Sequence, residues 1–317
     1  MKKRRLGQSS LEVAPLSFGG NVLGWTANEA RAFELLDAFL GTGFNLIDTA
    51  NTYSNWIPGN IGGESETIIG KWMKARGNRD KVIVATKLGQ REGPGKVGLS
   101  RSYMMTAIED SLRRLQTDYV DLYQSHDDDL ETPIEETLSA YAELIKAGKV
   151  RYIGASNFTA ERLTESLDIS ERLGLPRYQS LQPIYNLYDR SKYETQYADI
   201  VQARHLGVIN YYALAQGFLS GKYRSHDDHK ERARASRVGP RYLNDRGFAI
   251  LDALDAVSDR TGHSPAQISL AWLLARPGIT SPIVSATEVN QLKELERSAD
   301  IALDAEAMAT LDKASAY

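Results

Sequence analysis

Eight short apolar runs punctuate the chain, and amphipathic stretches fill the gaps between them. The runs are Leu16–Phe18, Phe44–Ile47, Val82–Thr86, Tyr119–Tyr123, Val150–Ala155, Ser180–Ile184, Val208–Ala213 and Thr280–Val284. Each is apolar along its length, as a strand covered on both faces must be. Between them, Glu29–Leu40 carries Ala30, Phe33, Leu36 and Leu40 at helical spacing, with Gly41 and Gly43 behind it as stop signals. Tyr103–Leu115, Pro133–Ala147, Thr159–Leu173, Pro265–Leu274, Val289–Arg297 and Asp304–Ser315 behave alike. Strands alternating with helices demand a parallel sheet, and a count of eight fits a closed ring better than an open one. The expected fold class is therefore α/β, a (β/α)8 TIM barrel with an N-terminal β-hairpin and extra C-terminal helices. The hairpin is read from Arg4–Leu6 and Leu11–Val13 around Gly7-Gln8-Ser9-Ser10, placed to plug the barrel bottom.

A length of 317 residues would allow two domains, but no Pro/Ser-rich linker divides the chain. A single barrel domain over 1–317 is expected, with a long loop at about 216–245, polar and basic in its second half. A formal net charge of −3 gives no global field for nucleic acid or an anionic membrane. The absence of cysteine excludes disulfides, thiolate metal sites and a Cys nucleophile, and suits a reducing compartment. No apolar run follows the basic start Met1-Lys2-Lys3-Arg4-Arg5, and the longest uncharged stretch, His205 to Gly221, is interrupted by Asn, Gln, Ser and Gly. The protein is expected in the cytoplasm, with no membrane span.

Four ionisable residues fall at or just beyond the C-terminal ends of consecutive strands. Asp48 closes one, with Tyr53 five residues on; Lys87 closes the next and His126 the third. The steps from Asp48 to Lys87 and from Lys87 to His126 are both 39 residues, one strand–helix unit. In a barrel such positions converge on one rim, where barrel enzymes do their chemistry. A buried ammonium between a carboxylate and a phenol favours the phenolate, so Tyr53 is expected below its ordinary pKa of ~10 and fit to act as general acid. Asp48 would hold Lys87 charged, and His126 would orient a substrate oxygen. Protonating a carbonyl oxygen requires a hydride at carbon, hence a nicotinamide.

The segment Asp48-Thr49-Ala50-Asn51-Thr52-Tyr53, the strand ending in Lys87, and Leu122-Tyr123-Gln124-Ser125-His126 resemble the signatures of aldo-keto reductases. So do Gly154-Ala155-Ser156-Asn157-Phe158, Gln182, Tyr185-Asn186, Ala215-Gln216-Gly217, Ser220-Gly221-Lys222-Tyr223 and Gln291-Leu292-Lys293-Glu294, in order along nearly the whole chain. The chain is most similar to the bacterial sugar- and aldehyde-reductase-like branch and to potassium-channel β-subunit-like members. The resemblance implies a catalytic tetrad of Asp48, Tyr53, Lys87 and His126. It also implies Ser156, Asn157 and Gln182 on the nicotinamide carboxamide, Tyr211 stacked on the ring, and Leu214, Gly217 and Lys222 over the pyrophosphate. Arg237 is implied near the adenosine phosphate, and Ser285, Thr287, Gln291 and Glu294 at the 2′-phosphate and adenine. Departures are Tyr212-Ala213 for the usual Ser-Pro, Ser285 for Gly and Leu295 for Asn. No Lys or Arg lies between Ser285 and Gln291, and Glu288 is acidic; Lys222 and Arg237 still supply positive charge. NADP(H) is the favoured cofactor and NAD(H) the alternative, with a small carbonyl substrate reduced to an alcohol. A slow-turnover NADP-binding regulatory or sensor subunit is the competing function. Trp25 and Trp56, in loops after the first two strands, are candidate walls of the substrate pocket.

Several patterns are expected to be decoys. Gly93-Pro94-Gly95-Lys96-Val97-Gly98 fits a dinucleotide fingerprint but does not open a helix directly at a strand's end. Tyr188 with Lys192 fits Tyr-x-x-x-Lys but reads as surface. His126-Asp127-Asp128-Asp129 and His226-Asp227-Asp228-His229 invite a metal, yet neither finds a complete ligand set, and none is expected.

Overall fold

The computed structural model describes residues 1–90, 98–225 and 235–317. A two-stranded hairpin, β1 (Arg4–Arg5) and β2 (Glu12–Val13), precedes eight parallel strands: β3 (Ser17–Gly19), β4 (Leu46–Asp48), β5 (Ile83–Leu88), β6 (Val120–Ser125), β7 (Val150–Ser156), β8 (Tyr178–Gln182), β9 (Gly207–Val208) and β10 (Ile283–Val284). They pair in the order β10-β3-β4-β5-β6-β7-β8-β9. The ring closes through the Val208 N–H on Gly278 C=O (3.2 Å), the Thr280 N–H on Val208 C=O (2.9 Å) and the Ile283 N–H on Asn210 C=O (2.9 Å). This is the expected α/β TIM barrel.

Successive strand residues point to opposite faces, so each strand feeds two cores. Ile47, Val84 and Tyr123 face the helices. Their neighbours Leu46, Ala85 and Leu122 face inward and pack with Leu6, Leu11 and Val13 of the hairpin. The hairpin thus plugs the bottom with an apolar layer. Two residues further along the same inward rows stand Asp48, Lys87 and Gln124, all buried. Apolar bottom and polar top follow from one period-two pattern.

The helices are α1 (Glu29–Gly41), α2 (Glu64–Arg76), α3 (Arg101–Leu115), α4 (Ile134–Lys146), α5 (Ala160–Leu173), α6 (Ala198–Ala203), α7 (Ala235–Tyr242), α8 (Asp245–Thr261), α9 (Pro265–Leu274), α10 (Val289–Glu296) and α11 (Ala305–Ala314). Side-chain caps start several of them: Asn28 accepts from the Arg31 N–H, Thr159 from that of Arg162, and Ser264 forms a full capping box with Gln267. Two corrections concern the long connection. Part of 216–245 is α7, and 17-residue α8 follows it almost at once, capped by Asn244. None of the described helices is long and apolar enough to cross a membrane.

Near the end of α10 the Glu296 carboxyl is buried, with Oε1 unpaired. Burial raises its pKa from 4.5 to about 7, against the opposing Thr42 hydrogen bond. The folded state therefore holds a proton that the unfolded chain has released, and stability falls as pH rises from about 4.5 to about 7. Glu296→Gln is expected to flatten that slope and to stabilise the protein at pH 8 by about 1–2 kcal/mol, the full linkage being reduced by water at the carboxyl. Urea unfolding of both proteins at several pH values measures it; parallel curves would refute a titrating Glu296.

Candidate active site

The top of the barrel gathers the polar ends of the inward rows. The Lys87 ammonium donates to Asp48 Oδ2 (2.7 Å), Tyr53 Oη (2.8 Å) and the Thr49 carbonyl (2.9 Å), which uses all three of its protons. Lys87 is 0% exposed and Asp48 1%. The Tyr53 hydroxyl in turn lies 3.4 Å from Asp48 Oδ2. The other carboxylate oxygen, Oδ1, accepts from the amides of Gln124 (3.1 Å) and Gln182 (2.9 Å). A buried ion pair is tolerable only when its remaining hydrogen-bonding positions are filled, and here they are.

The His126 ring meets Tyr53 edge-on, centroids 6.1 Å apart. Burial, with Lys87 adding repulsion, holds its pKa well below the usual 6.5, so the imidazole is neutral. Its Nδ1 is buried with no protein partner. Tyr53 reverses the expected direction: its pKa is pushed well above 10, because burial penalises the phenolate and the Asp48 carboxylate repels it. Burial also lowers the Lys87 pKa, against the pull of Asp48 and Glu66. The pair rests as phenol and ammonium. That state suits a proton donor, since Lys87 stabilises the phenolate only once the proton leaves.

Beside this cluster the cofactor candidates form a second chain of contacts. Ser156 Oγ donates to Gln182 C=O (3.0 Å). Asn157, in a left-handed conformation (φ 56°), donates to His126 C=O (2.9 Å) and Asp127 Oδ1 (3.0 Å), and accepts from the Tyr211 hydroxyl (2.9 Å). Beyond Tyr211 the backbone turns sharply. Tyr212, Ala215 and Gln216 have φ of 54°, 47° and 59°, and Gly217 has 95°. Such strain in non-glycine residues persists where function needs the shape. The φ of 95° at Gly217 is one that L side chains rarely adopt, and its bare Cα lies beneath the Lys222 ammonium. Leu214 starts this turn, its carbonyl accepting from the Gly217 and Leu219 N–H groups. A bare backbone under an ammonium fits a diphosphate.

Ser285 and Thr287 lie between β10 and α10, and Gln291 and Glu294 lie on α10; of the four, Thr287 and Gln291 are joined by a hydrogen bond. Ser285 Oγ donates to Gly19 C=O and Asn21 Oδ1, Gln291 Oε1 accepts from the Thr287 N–H, and Glu294 accepts from the Ser264 hydroxyl. Glu288 pairs with Arg31 of α1 at 3.2 Å. Arg237 belongs to α7, but its side chain lies outside the described residues, as do His226–His229 and residues 93–97 of the glycine-rich pattern. The run after His126 is structural: Asp128 pairs with Arg162 and Asp129 holds the Leu99 N–H. Among the described residues no three His, Asp or Glu side chains are placed to share a metal ion. Trp56 packs edge-on against Tyr53 (6.1 Å) and Trp25 (5.9 Å), extending an aromatic wall from the hydroxyl. Sequence reading missed Gln124. Its place two residues before His126 on an inward row was the available signal.

An eight-stranded parallel barrel carrying a buried lysine–carboxylate–phenol cluster at its C-terminal rim defines an NAD(P)-dependent oxidoreductase when set beside known proteins. The chain belongs to the aldo/keto reductase family, whose model matches residues 15–316. It is 34% identical over 314 residues to a probable voltage-gated potassium channel subunit beta of Oryza sativa subsp. japonica, covering 95% of this chain and 92% of that one. It is 33% identical to the uncharacterized oxidoreductase YrpG of Bacillus subtilis (98% and 95% covered). It is 32% identical to L-glyceraldehyde 3-phosphate reductase of Escherichia coli O157:H7 (99% and 92% covered).

Proposed function

We propose that the protein reduces a small aldehyde or ketone to the alcohol with NADP(H), Tyr53 being the proton donor, on a single barrel domain in the cytoplasm. The observation that carries this reading is the Lys87 ammonium 2.8 Å from the Tyr53 oxygen and 2.7 Å from Asp48, all three on the barrel axis side of the rim. A bound nicotinamide would supply the hydride that the carbonyl carbon needs. Tyr53 hands its proton to the carbonyl oxygen, and the three-way grip on Lys87 keeps the ammonium where the phenolate charge develops. Asp48, fixed by Gln124 and Gln182, keeps Lys87 protonated against burial. Neutral His126 offers a ring N–H to the same oxygen and fixes its angle. Asn157 and Ser156 would hold the carboxamide, whose amide needs both donors and acceptors. The Gln182 amide nitrogen already donates to Asp48, so its side-chain oxygen Oε1 is the part left for that task. Tyr211 would carry the ring, Leu214, Gly217 and Lys222 the diphosphate, and Arg237, Ser285, Thr287, Gln291 and Glu294 the adenosine end.

Preference for NADP over NAD rests on Lys222 and Arg237, the basic residues that the family resemblance puts near the phosphates. Titration with NADPH and NADH, following quenching of the four Trp, is expected to give at least about tenfold tighter NADPH binding. Equal affinities would remove the NADP assignment. NADPH oxidation driven by short aldehydes, with phosphorylated three-carbon aldehydes included because one relative bears that name, separates a reductase from a sensor. Tight binding with no aldehyde-dependent turnover would favour the sensor, for which the plant channel-subunit relative gives the precedent.

A further inference from the structure

Outside the barrel wall, behind Tyr211 and Asn157, lies a cavity of about 370 Å³ that none of the reactive groups enters. It is within the size of small-molecule sites. Its floor is apolar: Leu181 of β8, then Pro183 and Ile184, with Phe158 and Tyr197 alongside. Its mouth is basic: Arg190, Lys192, Arg241 and Arg246 stand with Asp189 and the last residue, Tyr317.

Two of these cations are spoken for. Arg190 is forked onto Glu194 (2.9 and 3.1 Å), and Arg241 pairs with Asp189 (2.7 Å), which also takes the Tyr242 hydroxyl (2.9 Å). The other two have no counter-carboxylate among the described residues. The Arg246 guanidinium binds only carbonyls, those of Tyr188 (2.9 Å), Ser315 (2.9 Å) and Ala316 (3.3 Å), and lies over the Tyr188 ring at 4.5 Å. Lys192 sits over the Tyr197 ring at 5.8 Å. Two uncompensated charges beside tyrosine faces and an aliphatic floor ask for a ligand that is anionic at one end and flat and apolar at the other. The Tyr188–Lys192 pair, read from sequence as mere surface, is two walls of this cavity.

We propose that this cavity is a second ligand site, taking a planar aromatic carboxylate whose ring lies on Leu181, Pro183 and Ile184 and whose carboxylate meets Lys192 and Arg246. The volume admits one or two rings and no peptide. The site stands apart from the proposed catalysis and does not depend on it. It touches that machinery at two residues: Tyr211 and Asn157 both line the cavity, and Tyr211 donates to Asn157, which donates to His126 C=O.

Salicylate is the probe, with benzamide as the neutral ring of similar shape, each titrated calorimetrically into the full-length protein with NADPH saturating, so that the proposed cofactor site is filled and the two cavity variants tell this cavity from the open substrate pocket. Salicylate is expected to bind one to one and at least about tenfold tighter than benzamide. Lys192→Glu, an exposed position, should weaken it by a similar factor, and Ile184→Trp, which fills the floor, should abolish it while both variants keep the parent melting temperature. Salicylate binding unchanged in both variants, or none at millimolar concentrations, overturns the site. Benzamide binding equally well overturns the anionic assignment. A variant that melts early is replaced by Lys192→Met or Ile184→Phe, read the same way.

Discussion

Replacing Tyr53 with Phe is expected to lower kcat/KM for carbonyl reduction by about 10²–10⁴ while NADPH binding stays within about twofold. The change removes one oxygen. Lys87 keeps Asp48 and the Thr49 carbonyl, so the charged pair remains satisfied and the fold intact. What is lost is the proton and the phenolate that Lys87 was placed to stabilise. The same electrostatics predict the pH dependence of the parent enzyme. His126 is held neutral by burial well below 6.5, and Tyr53 keeps its proton well above 10. Neither group changes charge between about pH 7 and 9, so the reduction rate at saturating NADPH should be flat across that range. A sloping limb there that disappears in Tyr53→Phe would show a phenol titrating near neutrality, and the resting state described above would be wrong. Retention of activity within about tenfold in Tyr53→Phe would remove Tyr53 as the acid.

The barrel and the convergence of Asp48, Tyr53, Lys87 and His126 were legible because both depend on strand ends, and short apolar runs mark those ends well. Less legible was what depends on packing between distant segments. Helix α2 hides because Glu66 is buried on its inner face, paired with Arg114, and because Gly70 interrupts the pattern. A Cβ at Gly70 would lie 2.2 Å from Arg114 C=O, so the residue that weakens the helical signal is the one that lets α2 and α3 touch. Strand β9 spans only Gly207–Val208, though its apolar run continues to Ala213. Beyond Val208 the chain keeps single links to its neighbours, such as the Tyr211 N–H on Pro183 C=O, and then enters the left-handed turn at Tyr212. The Tyr53 pKa was misjudged for a related reason. Spacing shows that a cation will be near, but only burial decides whether its help exceeds the desolvation of the phenolate.

Lys87→Met should be the most damaging single change to the fold. It leaves the Asp48 carboxylate buried with two amide donors, the Tyr53 hydroxyl and no positive charge, a situation that typically costs about 3–5 kcal/mol. The converse change, Asp48→Asn, is milder, because a buried ammonium can shed its proton and its pKa is already lowered by burial. For Asp48→Asn the folded Lys87 pKa falls further below its unfolded value, so stability rises with pH until the unfolded lysine also deprotonates. Combining the two removes both charges. The double variant should recover most of the loss in Lys87→Met while remaining inactive, since the grip on the Tyr53 oxygen is gone. Denaturant unfolding of the three variants and the parent forms a double-mutant cycle with a coupling of about 2 kcal/mol or more. Additive losses would mean that Asp48 and Lys87 do not depend on each other. The pair would then be no more than two neighbours at the rim, and the ammonium would have no fixed place from which to act on Tyr53.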